Sequence, residues 1–261
     1  MVGFVDMHAH LLPGIDDGPE SVEGALEMAR AAMATGIATI AATPHLRADF
    51  PDVHVEELAD RCQKLSRALE HNRIPVRIVG GAEVSLIWAL EAGHEHLRLA
   101  SYGQLGNDLL IETPVDVSGI NQLLYPLRSR GYRITLAHPE RSGAFQRHPE
   151  MLQSLTEQGV LLQVNADALL VQSKSSKRKL TEYLLREGLA HSIASDAHRA
   201  AAWRRVTALA EGVEAANSLI GRPRSTWMSC DAPAAIIAGS ALPAAPEIEL
   251  APRRWWRRLG G

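Results

Sequence analysis

Two imidazoles stand two residues apart in Asp6-Met7-His8-Ala9-His10. Side chains two apart on a strand point the same way, so His8 and His10 can chelate one ion. The pair alone says little, because eleven histidines in 261 residues make roughly half a His-x-His pair by chance. His94-Glu95-His96 is a second such pair; it follows Gly93 in a polar stretch with no strand before it, and is expected to be solvated. The weight comes from accumulation at the ends of apolar runs. Ile40–Pro44 is followed by His45, Val79–Ala82 by Glu83, Leu109–Ile111 by Glu112, and Leu136-Ala137 by His138. Ile193-Ala194-Ser195 is followed by Asp196 and then His198, and Asp16-Asp17-Gly18 lies in the loop after the first run.

Such side chains are costly to gather in one cleft unless cations compensate them. The set holds nitrogen and carboxylate ligands without thiolate, which suits Mn²⁺, Fe, Zn²⁺ or Mg²⁺. The candidates are His8, His10, Asp17, His45, Glu83, Glu112, His138, Asp196 and His198. Nine exceed what one or two ions need at about three or four protein ligands each, so three divalent ions are expected. Such a cluster polarises phosphoryl oxygens and lowers the pKa of bound water, making hydroxide available near neutral pH. Cys62 and Cys230 offer no thiolate route. That chemistry needs Cys, five residues, then Arg, whereas Arg67 follows Cys62 after only four and Cys230 has no arginine at that spacing. Both are expected to be packing residues, and two cysteines make no disulfide framework.

These groups need a scaffold that brings many strand ends to one face. Strand candidates are Val2–Met7, Ile37–Ala42, Val76–Val79, Leu109–Ile111, Ile134–Ala137, Val160–Val164 and Leu189–Ala194. Helical patterns fall between them: Glu20–Thr35, the stripe Val55, Leu58, Cys62, Leu65 and Leu69, then Ile120–Arg130, Met151–Gln158, Leu180–Glu187 and Ala200–Ala216. Strands alternating with helices imply βαβ units and a parallel sheet. About seven units in one chain fit a closed (β/α) barrel, whose strand ends form the active face. No Pro/Ser-rich linker precedes residue 220, so residues 1–240 are read as one domain. Prolines at 223, 233, 243, 246 and 252 suggest a wrapping strap, and residues 241–261 read as a Pro-rich, then Arg/Trp-rich tail.

Composition narrows the class further. Hydrophobic residues are 46% and charged residues 22%, ordinary globular usage. Lys plus Arg is 27 against 30 for Asp plus Glu, a net charge of −3. No overall positive field is available for nucleic acid. The N-terminus lacks a signal-peptide pattern and no apolar run approaches a membrane span, so a soluble, cytoplasmic protein is expected. The Arg253-Arg254-Trp255-Trp256-Arg257-Arg258 stretch is either a solvated tail or a patch that docks on an acidic membrane surface or a partner.

Together Asp6–His10, Leu12–Gly18, Ala42–His45, Gly81–Glu83, Ile111-Glu112, Ala137–Arg141, Gln163–Asn165 and Ala194–His198 resemble the polymerase-and-histidinol-phosphatase (PHP) superfamily. Within it they are most similar to the manganese-dependent protein-tyrosine phosphatases of bacterial capsule and exopolysaccharide gene clusters. The resemblance spans about residues 3–240 with the motifs in order. It implies a distorted (β/α)₇ barrel of the TIM-like PHP fold with a trinuclear site, filled by Mn²⁺ before Fe, Zn²⁺ or Mg²⁺. It would place His8, His10, Glu83 and Asp196 on a first metal. Glu83 would bridge to a second, completed by Glu112 and His138, and Asp17, His45 and His198 would hold the third. Arg141 matches the family's phosphate-binding arginine, and its planar fork suits two phosphate oxygens.

One departure stands out. The family places Asn after its Ser-Asp-Ala-His motif and a second active-site arginine several residues on, whereas this chain reads Arg199-Ala200-Ala201-Ala202-Trp203-Arg204-Arg205. Either Arg199 or Arg204 could supply the second guanidinium. The implied activity is hydrolysis of phosphotyrosine by metal-activated hydroxide, with a bacterial tyrosine kinase controlling polysaccharide export as the partner. The alternatives are a small-molecule phosphomonoesterase of the histidinol-phosphatase type and a non-catalytic scaffold that keeps the cluster structurally. The oligomeric state is left open.

Overall fold

The computed structural model describes residues 3–114, 117–198 and 203–249, with residues 203–206 described in their backbone alone. Among the described residues nine strands carry the fold: β1 Phe4–Ala9, β2 Ile37–Ala42, β3 His45–Leu46, β4 Arg77–Gly80, β5 Glu83–Val84, β6 Asp108–Glu112, β7 Arg133–Ala137, β8 Leu161–Asn165 and β9 Ser192–Ala194. All their pairings are parallel, in the orders β1-β2-β4 and β3-β5-β6-β7-β8-β9.

The two sheets are one barrel with a dislocation. Pro44 lacks an N–H, so the ladder cannot run straight from β2 into β3. The chain steps across instead: Gly81 N–H donates to Ala42 O at 3.1 Å, Glu83 N–H to Pro44 O at 3.0 Å and Ser85 N–H to Leu46 O at 3.1 Å. β3 therefore continues the line of β2, and β5 that of β4, which leaves seven lines. Closure comes between β9 and β1. Ala9 and Ala197 form a bridge, His10 N–H donates to Ala197 O at 2.8 Å, and Asp196 N–H to His8 O at 2.9 Å. The expected distorted seven-stranded barrel is thus present, its distortion located at Pro44 and at Gly80-Gly81.

Helices cover the outside: α1 Val22–Ala34, α2 Leu58–His71, α3 Leu86–Glu91, α4 His94–Ala100, α5 Ile120–Ser129, α6 Gly143–Arg147, α7 Glu150–Glu157, α8 Ser176–Arg186, α9 Trp203–Ile220, α10 Arg222–Thr226 and α11 Ala232–Ile237. Each long one buries an apolar stripe, as α2 does with Leu58, Cys62, Leu65 and Leu69. Strand residues facing the other way, among them Val5, Met7, Ala41, Val79, Leu110, Ala137 and Leu161, cluster with Ile236 and Ile237 of α11. The alternation of side chains along each strand makes this second cluster the filling of the barrel.

Several boundaries differ from the sequence reading. β1 runs on to Ala9, so His8 lies within the strand. β3 and β5 are unexpected, each being a two-residue strand beyond the end of a strand candidate. α3 and α4 are also unexpected, being too short to show a helical period. His94 and His96 are exposed as expected but start a helix, where His96 pairs with Glu56 at 3.1 Å and His94 Nδ1 lies 3.1 Å from the Tyr132 hydroxyl. The expected strap is helical over residues 222–237, which corrects that part of it, and only the irregular residues after it lie along the body. Trp227 Nε1–H donates to Pro243 O at 3.1 Å, Arg224 to Pro246 O at 3.3 Å, and Glu249 N–H to Ile220 O at 3.1 Å. The Arg253–Arg258 stretch lies outside the described residues. No described helix is long and apolar enough to cross a membrane.

Candidate metal centre

The nine expected ligands meet at the C-terminal ends of the strands. His8 Nε2 and His10 Nε2, from β1 and the residue after it, each lie 3.3 Å from one oxygen of Glu83, Oε2. The same two nitrogens lie 3.6 and 3.7 Å from Asp196 Oδ1. An ion held tetrahedrally at about 2.1 Å sets its ligand atoms roughly 3.4 Å apart, so these four atoms have the spacing of one site. Asp17 Oδ1 lies 3.3 Å from His198 Nε2, 3.7 Å from His45 Nε2 and 3.8 Å from His10 Nδ1. His10, Asp17, His45 and His198 offer ligand atoms that all lie within 4.8 Å of one another.

Glu83 ties the remaining ligands in. His138 Nε2 is 2.7 Å from its Oε1, and His8, Glu83, His138 and Asp196 form a group within the same 4.8 Å limit. Glu112 groups with His45 and Glu83. The expected second set is thus divided in this structure, with His138 on the His8 side of Glu83 and Glu112 on the His45 side. Arg47 Nη1–H donates to Glu112 Oε1 at 2.7 Å, which draws that carboxylate outward.

The residues present fit divalent cations. His8 Nε2, His10 Nε2, His45 Nδ1, Glu83 Oε2 and Asp17 Oδ1 are shut off from solvent and have no hydrogen-bond partner. Buried lone pairs without a donor are costly, and these converge on common points. Outer groups fix which nitrogen faces inward. His8 Nδ1–H donates to Gln163 Oε1 at 2.9 Å, and His10 Nδ1–H to Asp16 Oδ2 at 2.7 Å. Each Nε2 is then left as the lone-pair nitrogen. Gln163 Nε2–H donates to Asn165 Oδ1 at 2.9 Å, and Asn165 Nδ2–H to Asp196 Oδ2 at 2.7 Å. One chain of hydrogen bonds so links His8 to Asp196.

The electrostatics follow from these contacts. Burial alone would raise the Glu83 carboxyl, but His8, His138 and His10 hold it well below the usual range. Burial resists Asp17 as well, yet pairing with His198 brings it to about 2. For His10 burial opposes the charge, and the bond to Asp16 with the neighbouring Glu83 carboxylate overrides it, raising the imidazole well above its ordinary value. His8 is raised in the same manner, burial being outweighed by Glu83 and Asp196.

Two candidate ligands sit on strained backbone. His138 has φ +36° and Asp196 φ +51°, left-handed values that non-glycine residues rarely adopt. Each comes just after its strand, where the reversal turns the side chain toward the cluster, a placement of strain typical of functional sites. Arg141 lies on the same loop as His138, and its Nη1–H donates to Asp196 Oδ2 at 3.2 Å from a half-exposed position. Arg199 and the Arg204 side chain lie outside the described residues. The sequence motifs contain Asp6, Asp16, Gln163 and Asn165 without a role for any of them, and they leave out Arg47. Gln163 and Asn165 had a signal, two amides two apart at the end of an apolar strand. Arg47 had none, since only the fold brings it to Glu112.

Comparison with known proteins agrees with this geometry. A profile of the capsular polysaccharide synthesis family CpsB/CapC matches residues 4–238. Tyrosine-protein phosphatase YwqE of Bacillus subtilis (strain 168) is 32% identical over 197 residues, covering 75% of this chain and 77% of that protein. Tyrosine-protein phosphatase CpsB of Streptococcus agalactiae serotype V is 26% identical over 204 residues, covering 75% and 83%. Crystal structures of YwqE and of CpsB from Streptococcus pneumoniae are described as unique metal-dependent tyrosine phosphatases. One chain of that work superimposes with a TM-score of 0.80 at 26% identity, over 95% of this chain and 100% of that one.

Proposed function

The chain belongs to the CpsB/CapC family of capsular polysaccharide synthesis, and we propose that it acts there as a metal-dependent tyrosine-protein phosphatase. The observation that carries the reading is the convergence of imidazoles and carboxylates on Glu83, with His8 Nε2, His10 Nε2, His45 Nδ1, Asp17 Oδ1 and Glu83 Oε2 shielded from solvent and without a donor. His8, His10, Glu83 and Asp196 would hold one divalent ion, and Asp17, His45 and His198 another. His138 and Glu112, on either side of Glu83, would complete a third. Manganese is the first candidate for the ions. Ions so held polarise a phosphoryl group and make water a nucleophile near neutral pH.

The protein's own part is positioning and charge. Gln163 and Asp16 hold the tautomers of His8 and His10, so that both Nε2 atoms stay available. Arg141, half exposed at the rim, can leave Asp196 to place its fork on two non-bridging phosphate oxygens, where negative charge is shared in the transition state. The substrate is phosphotyrosine in a protein, a bacterial tyrosine kinase of polysaccharide synthesis being the proposed partner and the cytoplasm the proposed compartment. The test compares rates on a phosphotyrosine peptide and on histidinol phosphate, before and after chelation and after Mn²⁺ is returned. Preference for the peptide with full dependence on metal is expected. Preference for histidinol phosphate would replace the protein substrate by a metabolite, and undiminished rates after verified metal removal would end the metal reading.

A further inference from the structure

A groove of about 510 Å³ opens beside the centre, between the segment that follows β3 and the start of α3. Its walls include Arg47, Phe50, Val53, Ile87, Trp88 and Glu91. None of these is among the candidate ligands. The inner wall is nevertheless continuous with them. The Phe50 ring stacks on His45, with centroids 5.0 Å apart and planes 12° from parallel. Arg47 lies over the Phe50 ring at 5.2 Å while it grips Glu112. The rest of the lining is mostly apolar, Asp49 and Glu91 apart, and it is open: Ile87 is 72% exposed, although its helix neighbours Leu86 and Ala89 are buried.

A phosphate on the ions must carry its leaving group away from the buried ligands. Glu112 and Arg47, on the groove side, are partly exposed, whereas His8, His10 and Glu83 are fully enclosed. A partly exposed aromatic wall there suits an aryl leaving group, which packs against Phe50 beside His45 and Arg47. The groove's volume falls within the range that encloses a drug-sized ligand, more than an aryl phosphate alone fills. We infer that this groove receives the substrate polypeptide, with the phosphotyrosyl ring against Phe50 and an apolar residue flanking it in sequence against Ile87 and Trp88. This rests on the phosphatase reading above, and adds to it a preference in the residues around the phosphotyrosine.

Two phosphotyrosine peptides test it, one flanked by leucine and valine, the other by serine and glycine, assayed with the Mn²⁺-loaded protein. The wild type should favour the apolar-flanked peptide in kcat/KM by about ten-fold, mainly through KM, as one apolar side chain in its pocket typically provides. Ile87→Asp should erase that preference, and Ile87→Leu should keep it. The metal-to-protein ratio of each variant, measured on the same preparation, shows that the centre is intact. Equal rates of the wild type on both peptides would overturn the groove assignment and leave the phosphatase reading standing. So would a preference that survives in Ile87→Asp. Cleavage of histidinol phosphate with no cleavage of either peptide would overturn both.

Discussion

Arg141 and the residues behind the ligands act at separate levels, and single substitutions separate them. Arg141 touches Asp196 at 3.2 Å from a half-exposed position, so as a surface ion pair it is worth about 0–1 kcal/mol of stability. As a preorganised donor to the transition state it is worth far more, roughly 10²–10³ in rate. Arg141→Ala should therefore cut kcat/KM by about that factor with metal content unchanged, and Arg141→Lys should recover only part because it loses the bidentate fork. Rates of Arg141→Ala within about three-fold of wild type would reduce it to a surface pair. Asp16 and Gln163 predict the opposite signature. They touch no substrate in the reading above, yet they hold His10 and His8 at 2.7 and 2.9 Å. Asp16→Ala or Gln163→Leu should weaken metal binding by about 10–100-fold, and saturating metal should restore much of the rate. A metal titration that shows unchanged affinity would remove them from the centre's support. Cys62 belongs to neither level: burial pushes its thiol up to about 12, so Cys62→Ser should leave activity within a few-fold.

The ligands are carried by elements whose ends the sequence marks unevenly. Apolar runs ending in His45, Glu83, Glu112, His138 and Asp196 were legible because a buried parallel strand is a short continuous apolar run and its end is a change to polar residues. The place of the distortion was not legible, because it is a matter of which strand line resumes after Pro44 and Gly81, and that is set by pairing across the sheet. Gly81 shows the constraint. A Cβ there would meet the Tyr102 ring at 2.9 Å, and Tyr102 is itself fixed inside the barrel by donating its hydroxyl proton to Met7 O at 2.8 Å. Gly81→Ala should thus push β4 away from the helical turn at Tyr102 and displace Glu83, two residues on. The expected cost is about 1–3 kcal/mol in chemical denaturation, with metal binding weakened as well. Unchanged stability and affinity would mean that Tyr102 yields freely. The positive φ values at His138 and Asp196 were equally hidden, since nothing in an Ala-His-Pro or Ser-Asp-Ala sequence announces a left-handed residue.

For the molecule as a whole, the proposed centre would make stability a function of both metal and pH. In the metal-free protein His8 and His10 are raised above their ordinary value of 6.5, while Glu83 and Asp17 are lowered. The raised imidazoles stabilise the fold fully below pH 6.5 and lose that contribution as pH rises through their folded values. The lowered carboxylates contribute above their ordinary range near 4 and lose it only in acid, Asp17 as pH falls through about 2. Above pH 6.5 the chelated protein should therefore weaken, as the imidazoles lose the protons that balanced the carboxylates. Metal ions need those same nitrogens unprotonated, so their affinity climbs over the same interval. A ligand that binds only the folded state stabilises it more as its affinity rises. The gain in Tm from Mn²⁺ over chelator should widen steadily from pH 6.5 to 8.5. His191, which burial and Arg224 press down to about 4, destabilises only below pH 6.5 and cancels in the difference between loaded and chelated samples. Thermal unfolding at four pH values with and without chelator, and proton release on adding Mn²⁺ in weak buffer, measure both sides of this linkage. A Tm gain independent of pH, with no protons released, would show that His8 and His10 carry no protons for the ions to displace.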